Sequence, residues 1–176
     1  EVAAHGLPVL WRIQGTPLRR CRARRAPGLS RPHAMGRGAA DGAWEPLRPI
    51  DELRAHLDGV MGCSVDPAEL GRALTHRSYA YERGGLPHNE RLEFLGDAVL
   101  ELSATHFLFH KYPDKSEGDL TAYRAALVNT YSLAEVAEGL GVNDMLLLSK
   151  GEKRDMGRAR QIILANAFEA LVGALY

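Results

Sequence analysis

Between residues 89 and 112 the sequence NERLEFLGDAVLELSATHFLFHKY holds no proline, and its apolar residues return at three- and four-residue steps. That period belongs to a helix, and Pro113 ends it because the ring cannot continue the hydrogen-bond ladder. A helix this long must be packed by other elements, so the chain around it is constrained to fold against it. At 100° per residue Leu92, Leu95, Val99 and Leu102 fall on one side. Glu90, Glu93, Asp97 and Glu101 fall within about 80° on the other. Glu93 and Asp97 are one turn apart, a like-charge pair costing roughly 0.2–0.5 kcal/mol if nothing positive binds it. Taken alone, such a pair reads as a solvated acidic face. Here Phe94, Ala98 and Leu100 edge the acids with apolar surface, which is unusual for such a face. Gly96 leaves a spot where another backbone can come close, at a cost of roughly 1 kcal/mol relative to alanine.

The remaining chain shows no alternating stretch of strand length and no internal repeat. The expected fold is all-α, one domain of about six or seven helices. Pro46 and Pro49 precede a short helix over about 51–57. Asp66, Pro67 and Glu69 read as N-cap, first helical position and capping-box partner of a helix ending near Leu74. The stretch THRSYAYERGGLPH (75–88) reads as a loop broken by Gly84, Gly85 and Pro87. Asn89 is expected to cap the long helix. Ser116 to Asp119 resembles a capped start for a helix reaching about Val128. Asn129 or Thr130 begins the next, which ends near Gly139 and Gly141. After a short apolar piece (145–148), SKGEKRDMGRARQ reads as a basic mobile loop. The last helix, over about 162–176, is apolar nearly all round.

The net charge of the 176-residue chain is zero, but the charge is uneven. Residues 1–40 carry eight arginines and one acid, a formal +7, leaving 14 basic residues against 21 acids in 41–176, a formal −7. An acidic domain holds nucleic acid poorly by bulk charge, so any work on RNA or DNA requires its acids to do something specific, such as holding cations. Residues 1–40 are expected to be a disordered basic extension. Translation upstream of a true start at Met35 accounts for them. An organellar transit peptide and a basic RNA-binding arm are the other readings. The sequence stops at Tyr176 in mid-helix, so a C-terminal truncation is expected. Cys21 and Cys63 form no Cys-x-x-Cys pair and imply no disulfide framework. No apolar run approaches 18 residues, so no membrane helix is expected.

On the last helix Asn166 and Glu169 are three apart, with Gly173 one turn beyond, among apolar neighbours. A charged Glu there is expensive to bury unless paired or metal-bound. Joined to Glu93 and Asp97, these residues offer hard oxygen donors that suit Mg²⁺ or Mn²⁺ rather than zinc. No His or Cys has metal-ligand spacing, and His76, His88, His106 and His110 read as structural or exposed. Carboxylates holding Mg²⁺ point first to phosphoryl chemistry.

The stretch HNERLEFLGDAVLEL (88–102) resembles the signature of ribonuclease III. So do LTHRSY (74–79), SEGDLTAYRAALVN (116–129), LSKGE (148–152) and ILANAFEALVGALY (163–176). The resemblance covers about 50–176 and implies an all-helical, homodimeric catalytic domain over 45–176, lacking the double-stranded-RNA-binding domain that usually follows. It implies Mg²⁺-dependent hydrolysis of double-stranded RNA, with Mn²⁺ able to substitute, in cytoplasmic processing of rRNA and mRNA precursors. Each subunit would cut one strand, leaving 5′-phosphate and 3′-hydroxyl ends. By the same likeness Asp97 and Glu169 are catalytic. Glu93, Asp97, Asn166 and Glu169 hold the metal, and Glu90 and Glu117 support them. Asn166 stands where many members carry Asp, which predicts weaker metal affinity. Without the RNA-binding module, Lys150, Lys153, Arg154, Arg158 and Arg160 are the best local phosphate contacts; the alternative is a solvated loop. Two competing readings are a catalytically silent relative acting as a structural RNA-binding or ribosome-associated protein, and a compact maturation nuclease. The silent relative should have lost the acids, whereas Glu93, Asp97 and Glu169 are all present.

Overall fold

A computed structural model describes residues 50–154 and 157–176. The expectations for residues 1–40, for Met35 and for Pro46 and Pro49 lie outside the described residues. Among the described residues the chain forms eight α-helices and no named strand, so the all-α expectation holds with more helices than expected. They are α1 (Ile50–Met61), α2 (Pro67–Ala73), α3 (Arg77–Glu82), α4 (Glu90–Lys111), α5 (Glu117–Leu127), α6 (Thr130–Gly139), α7 (Val142–Met145) and α8 (Arg158–Leu175). A 3-10 turn, Glu152–Arg154, precedes α8. Among the described residues no helix is long and apolar enough to cross a membrane.

Short-range capping chemistry behaves largely as the sequence predicts. The Asp66 carboxylate accepts from the Ala68 amide at 2.8 Å, and Asn129 accepts from the Ser132 amide at 3.0 Å. Ser116 and Asp119 form a reciprocal capping box. Glu69 does not close one; its carboxylate lies 3.9 Å from Arg72 instead.

Three other expectations are corrected. Residues 77–82 are helical, not loop, because the His76 ring accepts from the Ser78 amide at 3.3 Å and caps α3. Asn89 precedes α4 but its side chain makes no cap bond. It is buried, and its amide donates to the Ala73 carbonyl at 3.3 Å, tying α4 to α2. The chain from 158 to 161 is already helical. Arg160 secures that first turn by donating to the Asn143 side chain at 2.8 Å and to its carbonyl at 3.1 Å.

The 74–76 and 147–149 segments also join. Leu147 donates to the Leu74 carbonyl at 2.9 Å and His76 donates to the Leu147 carbonyl at 3.0 Å. This is an isolated parallel bridge between Thr75 and Leu147, too short to show as alternation in sequence.

Helix α8 lies at the centre, with Ile163, Leu164, Ala167, Phe168, Leu171 and Val172 all buried. Its most extensive partner is α4, followed by α6. The buried stripe of α4 is Leu92, Gly96, Leu100, Ala104 and Leu108. That corrects the expected face: Leu95 and Leu102 are exposed, and Phe94 is 82% exposed. Apolar residues surround α4, so hydrophobicity alone does not set its rotation. The close approach of α8 at Gly96 does, where the Glu169 backbone leaves no room for a side chain. Helix α5 buries no residue. It is held to α4 by Arg124, which meets Glu101 at 2.9 Å and donates to Thr105 at 2.9 Å.

Candidate active site

The acids meet where α4 and α8 cross. A Cβ added at Gly96 would overlap the Glu169 carbonyl, and one added at Gly173 would overlap the Leu92 carbonyl. Two backbones therefore touch with no side chain between them. Glu93 and Asp97 flank Gly96 on α4, and Glu169 is one turn before Gly173 on α8. Backbone contact at the glycines thus brings carboxylates from both helices to the edge of one crossing.

The charges of Asp97 and Glu93 act on Glu169. Glu169 is half-buried, and its pKa is pushed up to about 7, first by burial and then by the charges of Asp97 and Glu93. Burial also raises Glu93, the neighbouring Glu90 raises it further, and Asp97 adds to this, while Arg77 partly counters the shift. A carboxyl held above its ordinary range by burial and like charges is a site short of positive charge. Asn166, one turn before Glu169, is half-buried and adds a neutral amide.

Glu90 is turned toward Arg77, 3.2 Å away, with the His88 ring at 3.8 Å. It therefore acts on Glu93 as a neighbouring charge and is itself paired. Arg77 was not singled out in the sequence, because a residue in a supposed loop was given no face. The motif LTHRSY was its only signal. Glu117 is exposed on the first turn of α5, where it accepts from Thr121 at 2.9 Å. It is not among the charges acting on Glu93 or Glu169.

Of the histidines, His76 caps α3, and burial lowers its pKa most, against the opposing pull of Glu152. His106 and His110 lie ring to ring at 4.4 Å on the far half of α4. The basic candidates divide. Lys150, Arg154 and Arg158 are exposed and Lys153 is half-buried. Arg160 is committed to Asn143, so its main work is inside the fold.

The donor chemistry fits a hard divalent cation: three carboxylates and an amide oxygen from two rigid helices, with no thiolate or imidazole among them. Among the described residues no three His, Cys, Asp or Glu stand close enough to grip an ion as they are.

Fold and site together define a helical domain with a carboxylate centre at the crossing of its two longest helices. Residues 66–176 match the family model described as Ribonuclease-III-like, and the chain belongs to that family. It is 56% identical over 125 residues to Ribonuclease 3 of Nocardia farcinica, covering 69% of this chain and 52% of that one. It is 52% identical over 120 residues to Ribonuclease 3 of Streptomyces coelicolor, covering 68% and 44%. The chain thus spans about half the length of the curated relatives it matches. Among solved structures it resembles the nuclease domain of ribonuclease III from Campylobacter jejuni. One such structure gives 42% identity and a TM-score of 0.63, covering 72% of this chain and 83% of that one, and is described as showing structural flexibility in a region involved in dimer formation. A second gives 41% identity and a TM-score of 0.62, covering 73% and 82%.

Proposed function

We propose that this chain is the catalytic part of an endonuclease that hydrolyses the phosphodiester bonds of double-stranded RNA. The observation that carries the reading is the contact of Gly96 with Glu169, which sets Glu93 and Asp97 against Glu169. Family membership and relatives named Ribonuclease 3 support it.

Glu93, Asp97, Glu169 and the Asn166 amide oxygen would hold Mg²⁺, with Mn²⁺ as a substitute. When bound, the ion supplies charge neutralisation at the phosphate and a lowered pKa for water. Glu169, with a pKa pushed up to about 7 by burial, Asp97 and Glu93, would hold the ion in its deprotonated form. Asp97 and Glu169 orient the attacking water and the scissile phosphate. Arg77 and Glu90 hold the edge of the site. The expected products are 5′-phosphate and 3′-hydroxyl ends, from rRNA and mRNA precursors in the cytoplasm.

The working unit would be a homodimer. Phe94, Ala98 and Leu102 recur at four-residue steps on an exposed face of α4, and Phe109 extends it. α5 buries nothing within the subunit. Exposed apolar stripes of this kind mark association surfaces.

Incubation of the purified chain with duplex RNA, with Mg²⁺ or with a chelator, beside Glu169→Gln tests the reading. Cleavage that needs Mg²⁺ and is lost in the variant is expected. No Mg²⁺-dependent cleavage by the parent chain at high enzyme concentration overturns it.

A further inference from the structure

The described region of the chain is acidic, so grip on an RNA backbone has to come from local clusters of positive charge. One such cluster lies across two segments far apart in sequence. The Ser149 amide donates to the Ser78 hydroxyl at 3.1 Å, fastening the 149–154 segment to α3. That segment is folded on itself. Glu152 donates to the Ser149 hydroxyl at 3.2 Å, Lys153 to the Ser149 carbonyl at 3.2 Å, and Arg154 to the Gly151 carbonyl at 3.2 Å. Its lysines are therefore presented by a compact turn docked on α3.

Arg83 closes the C-terminal end of α3, the helix to which this turn is fastened at Ser78. Its guanidinium stacks over the Tyr79 ring with 3.6 Å to the centroid, which aims it. The Glu82 carboxylate is 3.9 Å away, and the Arg83 side chain keeps 47% exposure. The Lys153 ammonium is pushed below its ordinary range by burial and then by Arg83, with Lys150 adding and Glu82 opposing. At the other end of α3, Arg77 meets Glu90 beside the carboxylate centre. Six residues of helix separate Arg77 from Arg83, about 9 Å of rise. Each strand of a duplex carries a phosphate about every 3.4 Å of axis, so one strand offers several phosphates along the length of α3.

We propose that Arg83, together with Lys150 and Lys153, forms a phosphate-binding patch that holds the sugar-phosphate backbone of duplex RNA beside the carboxylate centre. The proposal rests on the endonuclease reading and deepens it by locating a grip on the substrate. Arg suits the role because its stacked, planar guanidinium presents paired donors to a phosphate. Such contacts read no sequence. They set position and add salt-dependent affinity.

The test is binding of a short fluorescent RNA duplex to the parent chain, Arg83→Ala, Arg83→Lys, Lys150→Ala with Lys153→Ala, and Glu82→Gln, in chelator, across a salt series. Arg83→Ala should weaken binding roughly three- to tenfold and lower the slope of log affinity against log salt by about one. The double lysine variant should lower it by about two, Arg83→Lys should recover most of the loss, and Glu82→Gln should tighten binding. Thermal unfolding of each variant separates lost contacts from lost folding, and Arg83→Lys keeps the cation where Arg83→Ala also loses the stacking on Tyr79. Unchanged affinity and slope in folded Arg83→Ala overturn the patch, as does absence of binding by the parent at low salt. The same preparations assayed with Mg²⁺ keep the two readings apart. Cleavage with no effect of Arg83 sinks the patch alone, whereas Arg83-dependent binding with no cleavage by the parent sinks the nuclease reading alone.

Discussion

Gly96 and Gly173 face each other across the crossing of α4 and α8, and neither has room for a Cβ because each would meet backbone of the opposite helix. Backbone cannot swing aside as a side chain can, so any side chain here must push the helices apart.

Gly96→Ala and Gly173→Ala are therefore expected to destabilise the fold, although alanine is the better helix former by roughly 1 kcal/mol. Overpacking costs typically about 1–3 kcal/mol, so the net loss should be up to about 2 kcal/mol, with cleavage reduced further because the acids part. Gly59→Ala is the control: it lies in α1 with nothing within 4 Å of a new Cβ, and should stabilise slightly. Chemical denaturation of the three variants checks this. Equal behaviour at Gly59 and Gly96 would show that the crossing tolerates a methyl group.

Glu169 makes the metal-free protein sensitive to pH. Its folded pKa, about 7, is raised above the ordinary 4.5. Below pH 4.5 the group is protonated in both states and folding is not penalised. Between the two values the unfolded chain gives up the proton and the folded chain keeps it, so stability falls as pH rises, and the loss is complete above about 7. The group is half-exposed, so the size is discounted to about 1 kcal/mol, or a few degrees of Tm. Calorimetry in chelator should show that the gap between Glu169→Gln and the parent widens in favour of the variant from acid to neutral pH. A constant gap would mean that Glu169 titrates normally.

Much of this frame is legible in the sequence because the chemistry is local. Asp66, Ser116 and Asn129 cap helices through amides two or three residues away, which spacing reveals. The four-residue step from Glu93 to Asp97 likewise places both acids on one side of α4. What stays hidden is long-range. α3 is capped by a histidine and pinned by Ser149, 71 residues downstream of Ser78. Asn89 looks like a cap but spends its amide on Ala73. The rotation of α4 follows the close approach at Gly96 rather than its many apolar residues, so Leu95 and Leu102 share a side with Leu92 in sequence yet are exposed where Leu92 is buried. Arg77 escapes for the same reason as α3, since its relation to Glu90 exists only once the helix does.

The exposed stripe of α4 gives a prediction about assembly. Phe94 is 82% and Leu102 70% exposed, and apolar side chains left in water gain roughly 1.5–3 kcal/mol each on burial. Phe94→Asp should shift the chain from dimer to monomer in sedimentation velocity at micromolar concentration, with Tm lowered by lost association rather than a damaged core. Phe94 lies outside the subunit's own packing, so the helical circular dichroism should persist. A parent chain that sediments as a monomer at every concentration would reject the dimer.

Asn166 gives the sharpest prediction on the metal. An amide oxygen can ligate Mg²⁺ but brings no charge, so Asn166→Asp should lower the Mg²⁺ concentration needed for half-maximal cleavage. The same change has an opposite effect before the ion binds. A further carboxylate one turn from Glu169 adds like-charge repulsion to a group already raised to about 7 by burial, Asp97 and Glu93. In chelator the variant should thus melt below the parent, by a few tenths of a kcal/mol for an adjacent like-charged pair on a helix. Saturating Mg²⁺ should raise its Tm more than it raises the parent's, because binding stabilises in proportion to the logarithm of affinity. Two measurements, a Mg²⁺ titration of cleavage and of Tm, must move together. An aspartate variant that needs as much Mg²⁺ as the parent, or more, would remove Asn166 from the metal site.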